Sequence, residues 1–405
     1  MRIAIIAVFL ATTAFGFFLK YLTYSRRNAS LPANVRDVFD EESYRKNQAY
    51  SMARIGFSVV DGIIGMVFSL LVLVFNVHFR LFEFITGYTG NVYLSAFFIL
   101  GAPMLAGAVI DQLVGIYETF VIEERYGFNK TTPLTYIVDF FKNLLIGGVI
   151  GGGLLALFLL LHNAMGNWVF LAFFFVLLAF QLFMMFISPF MLRIFYKLTP
   201  LEEGPLRDKV NALAQRTGFT FKGIYKVDAS KRSTKLNAFA SGFGKTKTIG
   251  LFDTLIEKMT EDEVISVLAH EIGHAKRQHI LKRAPLSLLA MGLVLLAAFF
   301  VVTMPEISMA FGFAGANTAF GLYVLFILVS PLMLVLSIPA NIVSRRFEYE
   351  ADGFSKELAG EGVAVSALKT LYRESFGNLT PHPFVVMMEH SHPPLTDRVA
   401  AIKPT

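Results

Sequence analysis

The chain has no cysteine. Disulfides, thiolate metal sites and cysteine nucleophiles are excluded, so any metal must be held by histidine and carboxylate. Charge is also scarce. Of 405 residues, 16% are charged and 55% hydrophobic, whereas roughly a quarter of an ordinary soluble domain is charged. With a mean hydropathy of +0.58, most of the surface must be solvated by lipid. Tryptophan occurs once, but there are 42 Phe and 14 Tyr. The net charge of +6 does not point to nucleic acid, because the Lys and Arg residues sit in loops flanking apolar runs, where they orient membrane proteins. Repeats and low-complexity tracts are absent.

Crossing the hydrocarbon takes roughly 20 mostly apolar residues. Seven stretches meet that length: about 3–23, 55–77, 93–115, 144–162, 166–190, 285–304 and 320–343. The first is read as an anchor, since its run from Ile3 to Leu19 exceeds a signal-peptide core and no small-residue cleavage site follows. An odd number of crossings puts 24–54, 116–143, 191–284 and 344–405 on one side. The other side carries Arg2, a loop at 78–92 whose only basic residue is Arg80, and a loop at 305–319 without Lys or Arg. By the positive-inside rule the first side is cytoplasmic. The glycines Gly147, Gly148, Gly151, Gly152 and Gly153, and the prolines Pro103, Pro331 and Pro339, predict close helix packing or kinks. Asp61 and Asp111 inside spans are expected to face protein or an aqueous interior.

The chain thus divides into four parts: crossings one to five with their loops (1–190), an α/β insert (191–284), crossings six and seven (285–343) and a polar tail (344–405). Within the insert, residues 201–218 read as an amphipathic helix. Residues 222–228 and 236–252, the latter with Gly242 and Gly244, alternate as strands or a hairpin would.

The insert ends on His270-Glu271-Ile272-Gly273-His274. Two histidines four apart on a helix share one face, so both imidazoles reach one Zn²⁺, and the Glu beside the first is placed to act on the water it activates. Thr260 and Glu263 form a capping box ahead of the apolar run Val264, Ile265, Val267, Leu268, which puts the motif well inside a stable helix. A catalytic zinc takes three protein ligands and leaves a position for water. The third is expected in the run Ser344 to Asp352, where Glu348 and Asp352 share a face at i, i+4 while Glu350 points elsewhere. Glu348 is assigned as ligand, giving a gluzincin-like set for one zinc per chain, and Asp352 as the carboxylate that accepts the other ring N–H of a ligand histidine. Arg398 reads as structural, pairing a carboxylate near the site. His279 and His382 have no partner at ligand spacing and read as surface or loop histidines.

Six separate stretches, in order, resemble one known family. They are Ile122-Glu123-Glu124-Arg125-Tyr126-Gly127-Phe128-Asn129, Ser230 to Ser233 leading to Asn237-Ala238-Phe239, Leu251 to Leu255, the His270–His274 motif, Ser344 to Asp352, and His390-Ser391-His392-Pro393-Pro394. The family is the type I CAAX prenyl endopeptidases, membrane zinc metalloproteases that trim isoprenylated proteins. The resemblance implies a mainly α, polytopic membrane protein in which seven transmembrane helices enclose a large water-filled chamber, with a cytoplasm-facing zinc protease domain carrying a small sheet. It also implies zinc on His270, His274 and Glu348, Glu271 as general base, His392 at the active site, and a peptide or protein substrate, isoprenylated in the family, paired to an edge strand at Asn237 and Ala238. His392 is taken as the donor to the developing oxyanion; His390 is its weaker rival.

The chain stops at Lys403-Pro404-Thr405 with no retrieval signal, and its cytoplasmic loops are short. That favours a bacterial cell membrane; in a eukaryote the expected location is the endoplasmic reticulum membrane. Two other readings compete. One is a quality-control protease for membrane proteins without lipid specificity. The other is a transporter keeping the metal site as a relic, against which the intact Glu271 argues.

Overall fold

The computed structural model describes residues 1–241 and 247–403. Gly242 and Gly244, which entered the hairpin expectation, lie outside the described residues. The membrane half begins with α1 (Arg2–Ser25), α2 (Glu41–Val74), the short α3 (Val77–Thr89) and α4 (Val92–Tyr117), which runs into a π-helical turn at Glu118–Glu123. There follow α5 (Pro133–Met165) and α6 (Val169–Phe195). Side-chain caps set the starts. The Asp40 carboxylate accepts from Ser43 N at 2.7 Å, Asn91 Oδ1 from Leu94 N at 3.0 Å, and Thr132 Oγ1 from Thr135 N at 3.1 Å, relieving amides that have no partner inside the helix.

Among the described residues, six stretches are long and apolar enough to cross a membrane: Arg2–Ser25, Glu41–Val74, Val92–Glu123, Pro133–Ser188, His279–Thr303 and Thr318–Ala359. The fourth is not one straight rod. A continuous helix would separate Phe158 from Phe173 by about 22 Å, yet their ring centroids lie 5.1 Å apart. The chain doubles back at Gly166, where φ is +56°.

One apolar core gathers Ile5, Leu73, Ile99, Phe158, Phe173, Val301 and Phe320. These residues lie alternately at the start of one long helix and the end of the next, so the helices run up and down and converge at one end of the bundle. Between the ends they are open: in α1, α2 and the α5–α6 pair only 11% of the most apolar window is buried. The glycines of α5 follow suit, against expectation. A Cβ at Gly147, Gly148, Gly151 or Gly153 would meet nothing within 4 Å, and only at Gly152 does one approach a neighbour, Phe97 at 3.6 Å. These four positions are not packing contacts.

Beyond α6 lie β1 (Leu198–Pro200), α7 (Pro205–Thr217), β2 (Gly223–Val227), β3 (Ala238–Ser241), β4 (Thr248–Phe252), α8 (Asp253–Lys258) and α9 (Glu261–Lys276). The helix expected over 201–218 is thus α7, and the alternating stretches form β2, β3 and β4. The sheet order is β1-β2-β4-β3, with β2 parallel to β4 and β3 antiparallel to it, Ala238 opposite Leu251. Leaving β3 at the margin exposes one row of its backbone groups. The chain then returns to lipid as α10 (His279–Thr303), turns through α11 (Pro305–Met309), and crosses again as α12 (Thr318–Ala359). α12 is 42 residues long and continues without a break past the end of its apolar part. Helices α13 (Glu361–Glu374), α14 (Pro383–Glu389) and α15 (Leu395–Ile402) complete the fold. The second core joins the sheet to α7 and α9 through Val210, Ile249, Leu251, Leu255, Leu268 and Ile272.

Candidate metal centre

Two helices hold the candidate site. α9 starts on a complete capping box: Thr260 Oγ1 accepts from Glu263 N at 3.3 Å, and Glu263 Oε2 accepts from Thr260 N at 3.0 Å. The other Glu263 oxygen accepts from Ser366 Oγ at 2.6 Å and Thr370 Oγ1 at 3.1 Å, tying α9 to α13. Val264, Leu268, Ala269 and Ile272 bury one face, which leaves His270, Glu271 and His274 on the other. There α9 packs against α12 at van der Waals limit: a Cβ on Gly273 would stand 3.2 Å from Phe354 Cβ and 3.3 Å from Ala351 Cα. Ser355 Oγ donates to Ser266 O at 2.7 Å in the same seam.

This close approach brings together the three residues assigned as ligands. His270 Nε2 and His274 Nε2 are 3.1 Å apart. Glu348, 4% exposed, places Oε2 3.4 Å from the first and Oε1 3.3 Å from the second. Four donors held tetrahedrally about 2.0–2.1 Å from a zinc-sized ion stand about 3.3–3.4 Å from one another. The imidazole–imidazole distance and the distance from each imidazole to its nearer Glu348 oxygen are of that size. Glu348 Oε2 is moreover buried without a well-formed hydrogen bond, its polar neighbours His270 Nε2 and Arg398 Nη2 standing off at 3.4 and 3.6 Å, so a cation would satisfy it. The residues fit a divalent metal.

Each histidine is braced from behind. His270 Nδ1 donates to Asp352 Oδ1 at 3.0 Å. Arg398 clamps the same carboxylate through Nε at 2.8 Å and Nη2 at 2.6 Å, the pairing expected of it from the sequence. Burial works against charge on His270, but its bonds to Asp352 and Glu348 outweigh it and raise its pKa to about 9. For Glu348 burial acts in the opposite direction and would raise the pKa, yet the two imidazoles hold it well below the carboxylate range. A pocket that draws a proton this strongly is one that favours a cation.

His274 is braced by a residue the sequence reading misplaced. His279 is neither a surface nor a loop histidine: it is 3% exposed, and its Nδ1 lies 2.8 Å from His274 Nδ1. Its Nε2 is 3.3 Å from Glu350 Oε2. Gln278 makes this possible by adopting a left-handed conformation (φ +56°) between α9 and α10, which turns His279 back toward the motif. His382 caps α14, its Nδ1 accepting from Phe384 N at 3.2 Å.

Glu271, His270, Glu348, His390 and His392 line one cavity of about 470 Å³ with Asn237 and Ala238. Burial raises the Glu271 pKa, partly opposed by the neighbouring histidines. His392 is the most open member: its side chain is 60% exposed, with Nε2 3.3 Å from Glu348 Oε1. His390 is held by its backbone, whose carbonyl accepts from Arg345 Nη1 at 2.7 Å. Asn237 Oδ1 accepts from Ala238 N at 2.9 Å, where the marginal strand β3 begins. The Ile122–Asn129 stretch anchors the approach to that strand. Glu123 accepts from Tyr50 at 2.6 Å and pairs with Arg54 at 2.7 Å and with Lys235 at 2.9 Å, two residues before Asn237.

The chain is similar to known proteins over nearly its whole length. Residues 20–197 match the family described as CAAX prenyl protease N-terminal, five membrane helices. Residues 200–405 match peptidase family M48. Curated relatives include the CAAX prenyl protease 1 homolog of Arabidopsis thaliana, 31% identical over 92% of this chain and 90% of that one. CAAX prenyl protease 1 of Saccharomyces cerevisiae is 29% identical over 97% and 93%. Among solved structures, S. mikatae Ste24p superposes with a TM-score of 0.93 at 28% identity, covering 99% of both chains. A multi-pass membrane chain with these relatives, matched over residues 200–405, belongs to peptidase family M48 and is a metallopeptidase.

Proposed function

We propose that the chain is a zinc endopeptidase that removes the C-terminal aaX residues from prenylated CAAX proteins and trims them further. The observation that carries the reading is the single cavity in which His270, Glu271 and Glu348 face Asn237, Ala238 and His392. His270, His274 and Glu348 would hold the ion. Bound there, zinc would polarise the scissile carbonyl and lower the pKa of water to about 7. Glu271 accepts the proton of the attacking water and hands it to the leaving amine. His392 donates to the developing oxyanion. Asp352 and Arg398 keep His270 in one tautomer. The free edge of β3 pairs with the substrate backbone as an added strand, which sets direction and register more than side-chain identity.

The same proposal covers the membrane half. Seven crossings, with α5 and α6 counted separately, fit the doubling back at Gly166, and a water-filled chamber fits the sparse burial along α1, α2, α5 and α6. The Lys and Arg distribution supports a cytoplasm-facing site, and the short loops support a bacterial host membrane.

The deciding experiment incubates the purified full chain with a CAAX-derived peptide, farnesylated or unmodified, with and without chelator. Chelator-sensitive cleavage that prefers the farnesylated peptide supports the proposal. Equal cleavage of both peptides overturns lipid specificity in favour of a quality-control role, and cleavage indifferent to chelator overturns the metal mechanism.

A further inference from the structure

We infer that His279 and Glu350 form a relay that fixes the tautomer of His274 and so presents its Nε2 to the metal. The inference rests on the reading of His270, His274 and Glu348 as zinc ligands.

The ring nitrogens fix where each proton lies. His274 Nε2 faces His270 Nε2 at 3.1 Å and Glu348 Oε1 at 3.3 Å. To bind a metal it must offer a lone pair, so the ring proton sits on Nδ1. That proton points at His279 Nδ1, 2.8 Å away. Two imidazole nitrogens at that distance cannot both donate. His279 Nδ1 therefore accepts, and its own proton moves to Nε2. There it meets Glu350 Oε2 at 3.3 Å, a carboxylate oxygen that can only accept. Every atom in the line has one permitted role, and the direction runs outward from the metal.

The His279 ring cannot turn to reverse this order. It stacks on Phe347 with centroids 4.2 Å apart and an interplanar angle of 3°, and it is 3% exposed. Glu350 lies nearer solvent and is steadied by Arg346 Nε at 3.5 Å. The two ligand histidines are thus oriented by different devices: His270 directly by a buried carboxylate, His274 through a second imidazole.

The test uses the purified full chain, stripped of metal. Zinc affinity is measured by chelator competition, and the visible spectrum is recorded after loading with Co²⁺. His279→Phe keeps the stacked ring but removes the acceptor. Its zinc affinity is expected to fall about 10–100-fold, with a changed cobalt spectrum. His279→Asn puts a carbonyl oxygen near the position of Nδ1 and is expected to recover most of the loss. Glu350→Ala, at the surface, should weaken binding in the same direction, and it serves alone if the His279 variants do not fold. Parental affinity in His279→Phe or Glu350→Ala overturns the relay, as does an Asn variant no better than Phe. If the parent chain itself takes up no zinc, the metal-centre reading falls and the relay with it.

Discussion

The seam between α9 and α12 makes Gly273 a sensitive probe of the centre. In Gly273→Ala the new methyl would sit 3.2 Å from Phe354 Cβ and 3.3 Å from Ala351 Cα, whereas carbon atoms rest at about 3.5–4.0 Å. One contact is to a main-chain atom, so a rotamer change cannot relieve it; the helices must part by a few tenths of an ångström. Glu348 lies one turn from Ala351 on α12, and metal–ligand distances tolerate only about ±0.2 Å. Overpacking of this kind costs about 1–3 kcal/mol. The metal-free protein can relax by separating the helices, and the loaded protein cannot. The cost then appears as weaker binding, about 5- to 150-fold at 1.4 kcal/mol per decade. Chelator competition on the purified full chain measures it. Gly353→Ala, on the partner helix α12 with nothing within 4 Å of its new Cβ, is the control and should bind as the parent does. Parental zinc affinity in Gly273→Ala would refute the claim that this seam sets the ligand spacing.

Other outcomes follow from the same geometry. Glu271→Gln should keep its metal and lose about 10²–10⁴ in kcat, whereas Glu348→Ala should lose metal and activity together; metal analysis beside a peptide-cleavage assay separates them. His392→Ala should retain metal and lose about 10²–10³ in kcat, and an unchanged rate would remove the oxyanion role. Glu263 provides a pH signature away from the metal. Burial pushes its pKa up, but hydrogen bonds from Ser366, the Thr260 amide and Thr370 more than offset this and hold it low. A depressed carboxylate stabilises the fold above its unfolded pKa of about 4.3, and that contribution is lost as pH falls through the folded value. Thermal unfolding in detergent should therefore show an acid-induced loss of stability that Glu263→Gln reduces; an identical acid limb in the variant would count against it.

The candidate metal cluster was legible in the sequence because its parts obey short-range rules. A capping box places the His270–His274 helix, four-residue spacing puts the imidazoles on one face, and the same spacing separates Glu348 and Asp352 from Glu350. His279 escaped because its position depends on a corner. Five residues on along an unbroken helix, it would point about 140° away from His274. The left-handed turn that brings it back occurs at Gln278, a residue type that gives no warning of one. The glycines of α5 misled for a related reason: small residues permit close packing but do not reveal whether a neighbour is present. Strand β1 is three residues long, too short for alternation to register. The expected crossing at 320–343 marked where the chain is apolar, and hydropathy carries no sign that the helix continues to Ala359.

That continuity limits how the molecule can be dissected. α12 is one continuous helix of 42 residues, about 63 Å measured along its axis, with Glu348 partway along its polar end. α9, which bears both imidazoles, passes within two residues into α10, itself long and apolar enough to span the bilayer. The three candidate donors therefore lie either on a helix long and apolar enough to span the bilayer, as Glu348 does, or on one joined to such a helix by two residues, as His270 and His274 do. An excised water-soluble fragment is expected to lose the spacing of the three, and detergents or lipids that change the tilt of those helices are expected to act directly on the candidate centre.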